Sequence, residues 1–245
     1  MSRGIYVALS GAIAQQEALD LTATNVANAV TPGYQRLRPV FKEALATAQG
    51  KTPGDPNLRY AEVDRTAVDT SAGAARVTNG ALDAVLPRGA YLALATPRGE
   101  RYTRAASLAV GDDGTVKTQS GSPVASDGGA TIQARAGGGA VTLDKDGTVK
   151  QAGVALGKLK IVRFETPSAL AMEGAGVLSA AQAGAATPAT ESLEVGSVEE
   201  SNAQPVTEMT ELMTASRAFD AMQKALETLG QVDQRLVTTV INPND

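Results

Sequence analysis

Near each end of the chain, apolar residues recur at alternating spacings of three and four. In the first stretch, Ser2 to Ala29, they are Ile5, Leu9, Ala12, Leu19, Ala23 and Val26, with Gln16 filling one polar slot. That spacing puts them on one side of a helix as a narrow seam, the width of a coiled-coil contact rather than of a broad core-facing surface. The helix is expected to stop near Val30, because Thr31-Pro32-Gly33 follows: the residue ahead of a proline is driven out of helical backbone, and glycine admits positive φ. The second stretch carries Leu212, Ala215, Phe219, Met222, Leu226, Leu229, Leu236 and Val240, interrupted at Asp233, with Pro205 suited to a first turn. From Val206 to Val240 such a helix would run about 50 Å and needs a long partner. The N-terminal helix is expected to supply it, within the chain and between copies.

Between about Thr66 and Glu199 the texture changes to short runs of Val, Thr and Leu separated by Gly, Pro and Asp-Gly, the punctuation of a β-sheet. Asp113-Gly114-Thr115-Val116-Lys117 recurs as Asp146-Gly147-Thr148-Val149-Lys150, which predicts two hairpins turning at Asp-Gly and leading into strands. Further strands are expected at Ala90 to Ala95, Ala140 to Leu143 and Leu159 to Phe164. Gly50 to Asn57 reads as an irregular surface loop, and Ala180 to Ala189 as similarly loose. The pattern is α+β: long terminal helices pairing as a coiled-coil-like assembly domain, around a central all-β domain of short antiparallel strands. Its segments are an N-terminal helix at 1–35, an extended linker at 36–79, a β domain at 80–195 and a C-terminal helix at 196–245.

Composition narrows the chemistry. The 245 residues carry a formal charge of −4, 43% hydrophobic and only 3% aromatic residues, so the core is built from Ala, Val and Leu and should be thin. There is no His and no Cys, which removes the usual general base, the Ser-His-Asp arrangement, thiol nucleophiles, disulfides and zinc sites of the Cys/His kind. Mild acidity speaks against nucleic-acid binding, and Arg36-Leu37-Arg38 reads as a solvated face. Apolar runs such as Ile5 to Leu9 fall far short of the roughly 20 residues that span a bilayer, so neither a membrane helix nor a secretory signal peptide is expected.

Sharper readings of single motifs give way to plainer ones. Gly50-Lys51-Thr52 could close a phosphate-binding loop, but the upstream glycine of that pattern would fall on Leu45. Asp144-Lys145-Asp146-Gly147 could belong to a calcium loop, but the closing glutamate would fall on Gly153, and a turn is the better reading. Asp112-Asp113 and Glu199-Glu200 read as surface charges rather than an acid–base pair. No catalytic residue, metal ligand, cofactor or small-molecule substrate is expected.

The stretch Asn25-Val26-Ala27-Asn28-Ala29-Val30-Thr31-Pro32-Gly33-Tyr34 closely resembles the signature of the flagellar rod and hook family. Glu200-Ser201-Asn202 through Pro205-Val206, continuing to Arg217 and Phe219, resembles that family's second signature, in which Ser-Asn opens a long helix. Leu82-Asp83 and Tyr102-Thr103-Arg104 match its β-domain landmarks. Two departures stand out: Pro87-Arg88-Gly89-Ala90 replaces a turn with two glycines, and Ala106 replaces a glycine. The resemblance implies a structural subunit of the basal-body rod, closer to a proximal than a distal subunit, that self-assembles to transmit torque from motor to hook. It implies copies of itself and other rod subunits as partners, and export by the flagellar type III apparatus to the periplasm. The assembly interface is expected at Ile5, Leu9, Ala12, Leu19, Asn25, Val26, Asn28, Pro32, Gly33 and Tyr34, and at Leu212, Phe219, Met222, Leu226, Leu229 and Leu236. The alternatives are a distal-rod subunit and, in a different class, a secreted adhesin-like β protein on a helical stalk.

Overall fold

The computed structural model describes residues 3–45, 59–174 and 176–241. Both ends are helical: α1 is Arg3–Ala27 and α2 is Pro205–Ile241. α1 gives way a little before Val30 to a turn in which Thr31 N donates to the Asn28 carbonyl at 3.0 Å, just ahead of Pro32. α2 opens on Pro205, whose missing N–H costs nothing at a helix start, and carries Glu208 in its first turn, where a negative charge suits the helix dipole. Its 37 residues correspond to about 55 Å.

The chain forms two units. The helical one draws on residues up to Thr24, Arg38–Thr66 and Val206 onward; the β unit combines Asn25–Leu37 with Ala67–Pro205. The signature turn at 25–35, grouped by sequence with the terminal helix, thus folds with the β unit, because its polar side chains bond there. The segment expected as an extended linker contains strands: Leu37–Leu45 and Arg59–Val68 pair as a two-stranded sheet, and Lys42 meets Asp64 at 3.0 Å. The Gly50 to Asn57 loop lies outside the described residues.

The main sheet of the β unit has six antiparallel strands in the order Ala171–Gly174, Val177–Ser179, Gly99–Thr103, Ala90–Thr96, Ile161–Phe164 and Ala186–Pro188. Ala90–Thr96 is central and covered on both faces, which is why it reads as an unbroken apolar run rather than an alternation. One face sends Ala90, Leu92 and Leu94 into a core with Val116, Val124, Val149 and Leu159. The other sends Tyr91 toward Phe164, whose ring also meets Tyr102 edge-on at 4.7 Å. Ala186–Pro188 lies in the stretch read as loose; it is an edge strand, where a proline breaks no ladder, and its register rests on the distant Ile161–Phe164.

The repeated Asp-Gly motifs make matching hairpins. Leu108–Val110 pairs with Val116–Thr118, and Val141–Leu143 with Thr148–Gln151; in each the glycine has positive φ, 75° at Gly114 and 85° at Gly147. Asp146 accepts from Thr148 N at 3.0 Å, and this bond holds its carboxyl below the ordinary 3.8. Lys117, with Thr115 N, does the same for Asp113. A carboxyl depressed in the native state stabilises the fold above its unfolded pKa, and the contribution is lost as pH falls through the native value. Carboxyl NMR titration should therefore find both midpoints below that of an unstructured aspartate; midpoints at or above it would contradict the turn geometry. At Pro87-Arg88-Gly89-Ala90 a single glycine suffices: Ala90 N donates to the Pro87 carbonyl at 3.1 Å and only Gly89, at φ 69°, needs the left-handed region.

Candidate functional site

Two asparagines tie the β unit together where the chain's conspicuous motifs fall. Asn25 is buried. Its Nδ2 donates to the Leu37 carbonyl at 2.9 Å, and its Oδ1 accepts from Leu37 N at 2.9 Å and from the Tyr34 hydroxyl at 3.0 Å. One carboxamide thus satisfies both main-chain groups of Leu37 and the phenol of a fully buried tyrosine. Asn202 repeats the device: Oδ1 accepts from Arg36 N at 2.6 Å, and Nδ2 donates to the carbonyls of Asp69 and Ser71 at 2.9 and 2.8 Å. Its own N–H donates to the Tyr34 carbonyl at 3.2 Å. Leu37 is buried, so Arg36-Leu37-Arg38 is not a uniformly solvated face.

Gly33 sits between them at φ 67°, donating its N–H to the Glu199 carbonyl at 2.8 Å. A Cβ there would overlap Ala105 N and stand 2.6 Å from the Arg104 carbonyl carbon. Pro32 and Asn28 are half-buried beside it, Pro32 lining a groove of about 670 Å³ with Ser71, Ala72 and Asn202.

Below this pinch point lies an ion pair between Arg104 and Glu199, side chains only 3% and 4% exposed. Arg104 also donates to the carbonyls of Pro87 and Ala90 at 2.8 and 2.6 Å, and Glu199 accepts from Gly73 N at 3.1 Å. Glu199 is therefore no surface charge, although Glu200 is exposed and meets Arg76 at 2.9 Å. Gln35 faces the buried Tyr91 hydroxyl, and burial pushes that phenol above its usual 10. The hub joins segments 25–37, 69–73, 87–104 and 199–202. It commits its buried charges to each other and to main-chain carbonyls and amides. Such a cluster fixes chain geometry.

In the helical unit, Ala12 and Ala14 of α1 are buried, and its half-buried positions include Ile5, Ala8, Gly11, Gln15, Ala18, Leu19 and Thr22. These are mostly small residues. Gln15 Nε2 donates to the Ala215 carbonyl at 3.3 Å, and Met222 lies over Gly11. On α2, Leu212, Phe219, Leu226 and Leu229 are half-buried and Ala215 is buried, whereas Met222 is exposed. Leu236 lies in the same helix. Leu9 and Ala23 of the sequence seam point outward, with Val7 and Ile13. What sequence reading missed is the pairing of Arg104 with Glu199 and the inward turn of Gln35.

The conspicuous motifs and the two helices are also where known families match. Residues 5–35 match the model of the flagella basal body rod protein family, and residues 194–239 the C-terminal model of flagellar basal body rod FlgEFG proteins. The chain is 30% identical to the flagellar basal-body rod protein FlgF of Rhizobium meliloti, over 94% of this chain and 99% of that protein. It is 29% identical to FlgF of Caulobacter vibrioides, over 97% of each. The rod protein FlgG of Bacillus subtilis matches at 28% over 97% of this chain and 98% of its own length. The chain belongs to the flagellar basal-body rod protein family. It is a FlgF-like member, a structural subunit of the rod that assembles with other rod subunits.

Proposed function

We propose that this chain is a non-catalytic subunit of the proximal rod, which polymerises through α1 and α2 and carries torque from motor to hook. The observation behind this reading is the uncovered apolar surface of the two helices: Val7, Leu9 and Ile13 on α1, and Val206, Met209 and Met213 on α2 are all exposed. On a single chain these side chains stay 37–79% exposed, and covering the remainder in a polymer would stabilise each by a fraction of the roughly 1.5–3 kcal/mol that full burial contributes. The half-buried seam of Leu212, Phe219, Leu226 and Leu229, continued in sequence at Leu236, then pairs with α1 in coiled-coil fashion, within the chain and against neighbours. Folding of the ends completes on assembly, after passage through the flagellar export apparatus to the periplasm. Among the described residues no helix is long and apolar enough to cross a membrane. The FlgF relatives support the proximal-rod reading, and the matching FlgG relative supports a distal position as the second; where labelled subunits lie along purified basal bodies decides between them.

The test of assembly is Leu226→Asp. A charge on the seam should abolish incorporation into basal bodies and swimming, with the thermal melt of the β unit unchanged. Wild-type incorporation would remove the terminal helices from the mechanism.

A further inference from the structure

Leu9, Ile13 and Glu17 on α1 are spaced four apart, and so are Met209, Met213 and Arg217 on α2. All six side chains face solvent: Leu9 is 45% exposed, Ile13 53%, Met209 51% and Met213 56%, and Glu17 and Arg217 are exposed as well. Each set is therefore an i, i+4 ridge on the outward side of its helix, opposite the small residues through which α1 and α2 touch at Gln15 and Ala215. Ridges of this spacing interdigitate in the commonest helix-packing class, crossing at about 50°.

The ridges match in order and in sign. Each runs apolar, apolar, charged from its N-terminal end, and the charges are opposite. Glu17 and Asp20 are the acidic residues of α1, and its sole basic residue, Arg3, lies at the far end, so no cation of α1 is near enough to pair with Glu17. On α2, Arg217 is followed by Lys224 on the same side; Asp220 is the one nearby residue of opposite sign. Methionine suits the receiving ridge because its flexible, polarizable side chain adapts to the surface it meets.

We propose that the α1 ridge of one copy docks in parallel register on the α2 ridge of a neighbouring copy, Leu9 against Met209, Ile13 against Met213 and Glu17 against Arg217. This rests on the assembly reading above and specifies its contact. Like-sign pairing of the same two ridges in a two-fold arrangement is disfavoured, since α1 on α1 sets Glu17 against Glu17, and α2 on α2 sets Arg217 against Arg217. The proposed contact is head-to-tail, so that it propagates through successive subunits; a reciprocal two-fold docking of the same ridges would stop at linked dimers.

The chain has no cysteine, so an introduced pair is the only thiol pair present. Basal bodies are purified from cells whose sole copy carries Ile13→Cys and Met213→Cys, then oxidised with copper phenanthroline and run on non-reducing gels. Disulfide-linked dimers and higher multimers are expected, with none from either single variant. Incorporated subunits that form no link, or form it within one chain, overturn the proposal and leave the assembly reading intact, whereas an assembling Leu226→Asp chain defeats that reading itself. A charge swap needs no cysteine: Glu17→Arg and Arg217→Glu should each reduce incorporation about two- to fivefold, and the double variant should restore it. Impairment that persists in the double variant also overturns the proposal.

Discussion

Gly33→Ala is expected to destabilise the β unit by about 3 kcal/mol, the sum of about 1–2 kcal/mol for an L-residue in left-handed backbone and 1–3 kcal/mol for overpacking. Both parts are present. Gly33 has φ 67°, and its added methyl would run into the main chain at Ala105 and Arg104 rather than into a side chain able to swing away. Relief would require Gly33 to withdraw from Glu199, breaking the 2.8 Å main-chain bond and loosening the strand Ser197–Glu199 from its partner Ala75–Val77. For a unit of this size the loss corresponds to a fall of roughly 6–12 °C in melting temperature. Circular dichroism of the β signal measures it, and a melt indistinguishable from wild type would mean that the turn at 31–34 is not packed as described.

Arg104→Met should cost more, about 3–5 kcal/mol, since it strands the Glu199 carboxylate in a buried site with Gly73 N as its remaining partner. Glu199→Leu alone leaves the guanidinium among carbonyls from Leu86, Pro87 and Ala90, which soften its isolation. The two changes together should be less harmful than their sum by about 1–3 kcal/mol, because neither charge is then left behind. Denaturant melts of wild type, both single variants and the double variant yield this coupling. Simple additivity would show that the two side chains do not act as a pair.

Sequence pattern alone located what local chemistry determines. The three-and-four spacing from Ile5 to Val26 and from Leu212 to Leu229 is a property of neighbouring turns, and both helices lie where it places them. Asp113-Gly114 and Asp146-Gly147 encode their turns within a few residues, and the central strand shows itself as an apolar run at Ala90 to Ala95. Features that depend on a distant partner were not legible. Nothing near Glu199 distinguishes it from Glu200; its burial follows from Arg104, which comes to it from the bend just after the strand Gly99–Thr103. Leu37–Leu45 carries charged residues and Pro39, and becomes a strand through pairing with Arg59–Val68. The inner side of α1 was likewise hard to read, because alanine and glycine line it while larger residues such as Leu9 and Ile13 face away. Asn25 and Asn202 stand out through family resemblance, but the main-chain groups they satisfy, at Leu37 and at Arg36 and Asp69, are fixed by the fold and not by neighbouring residues.

The excursion that begins at Arg38 leaves and re-enters the β unit at one doorway, for Asp69 N donates to the Arg36 carbonyl at 2.8 Å and Asn202 clamps both sides. Its length is thereby uncoupled from everything behind the clamp. Lengthening it adds only loop-closure entropy, about 0.6 kcal/mol per doubling, so reporter peptides inserted between positions 50 and 57 should leave the melting of the β unit untouched.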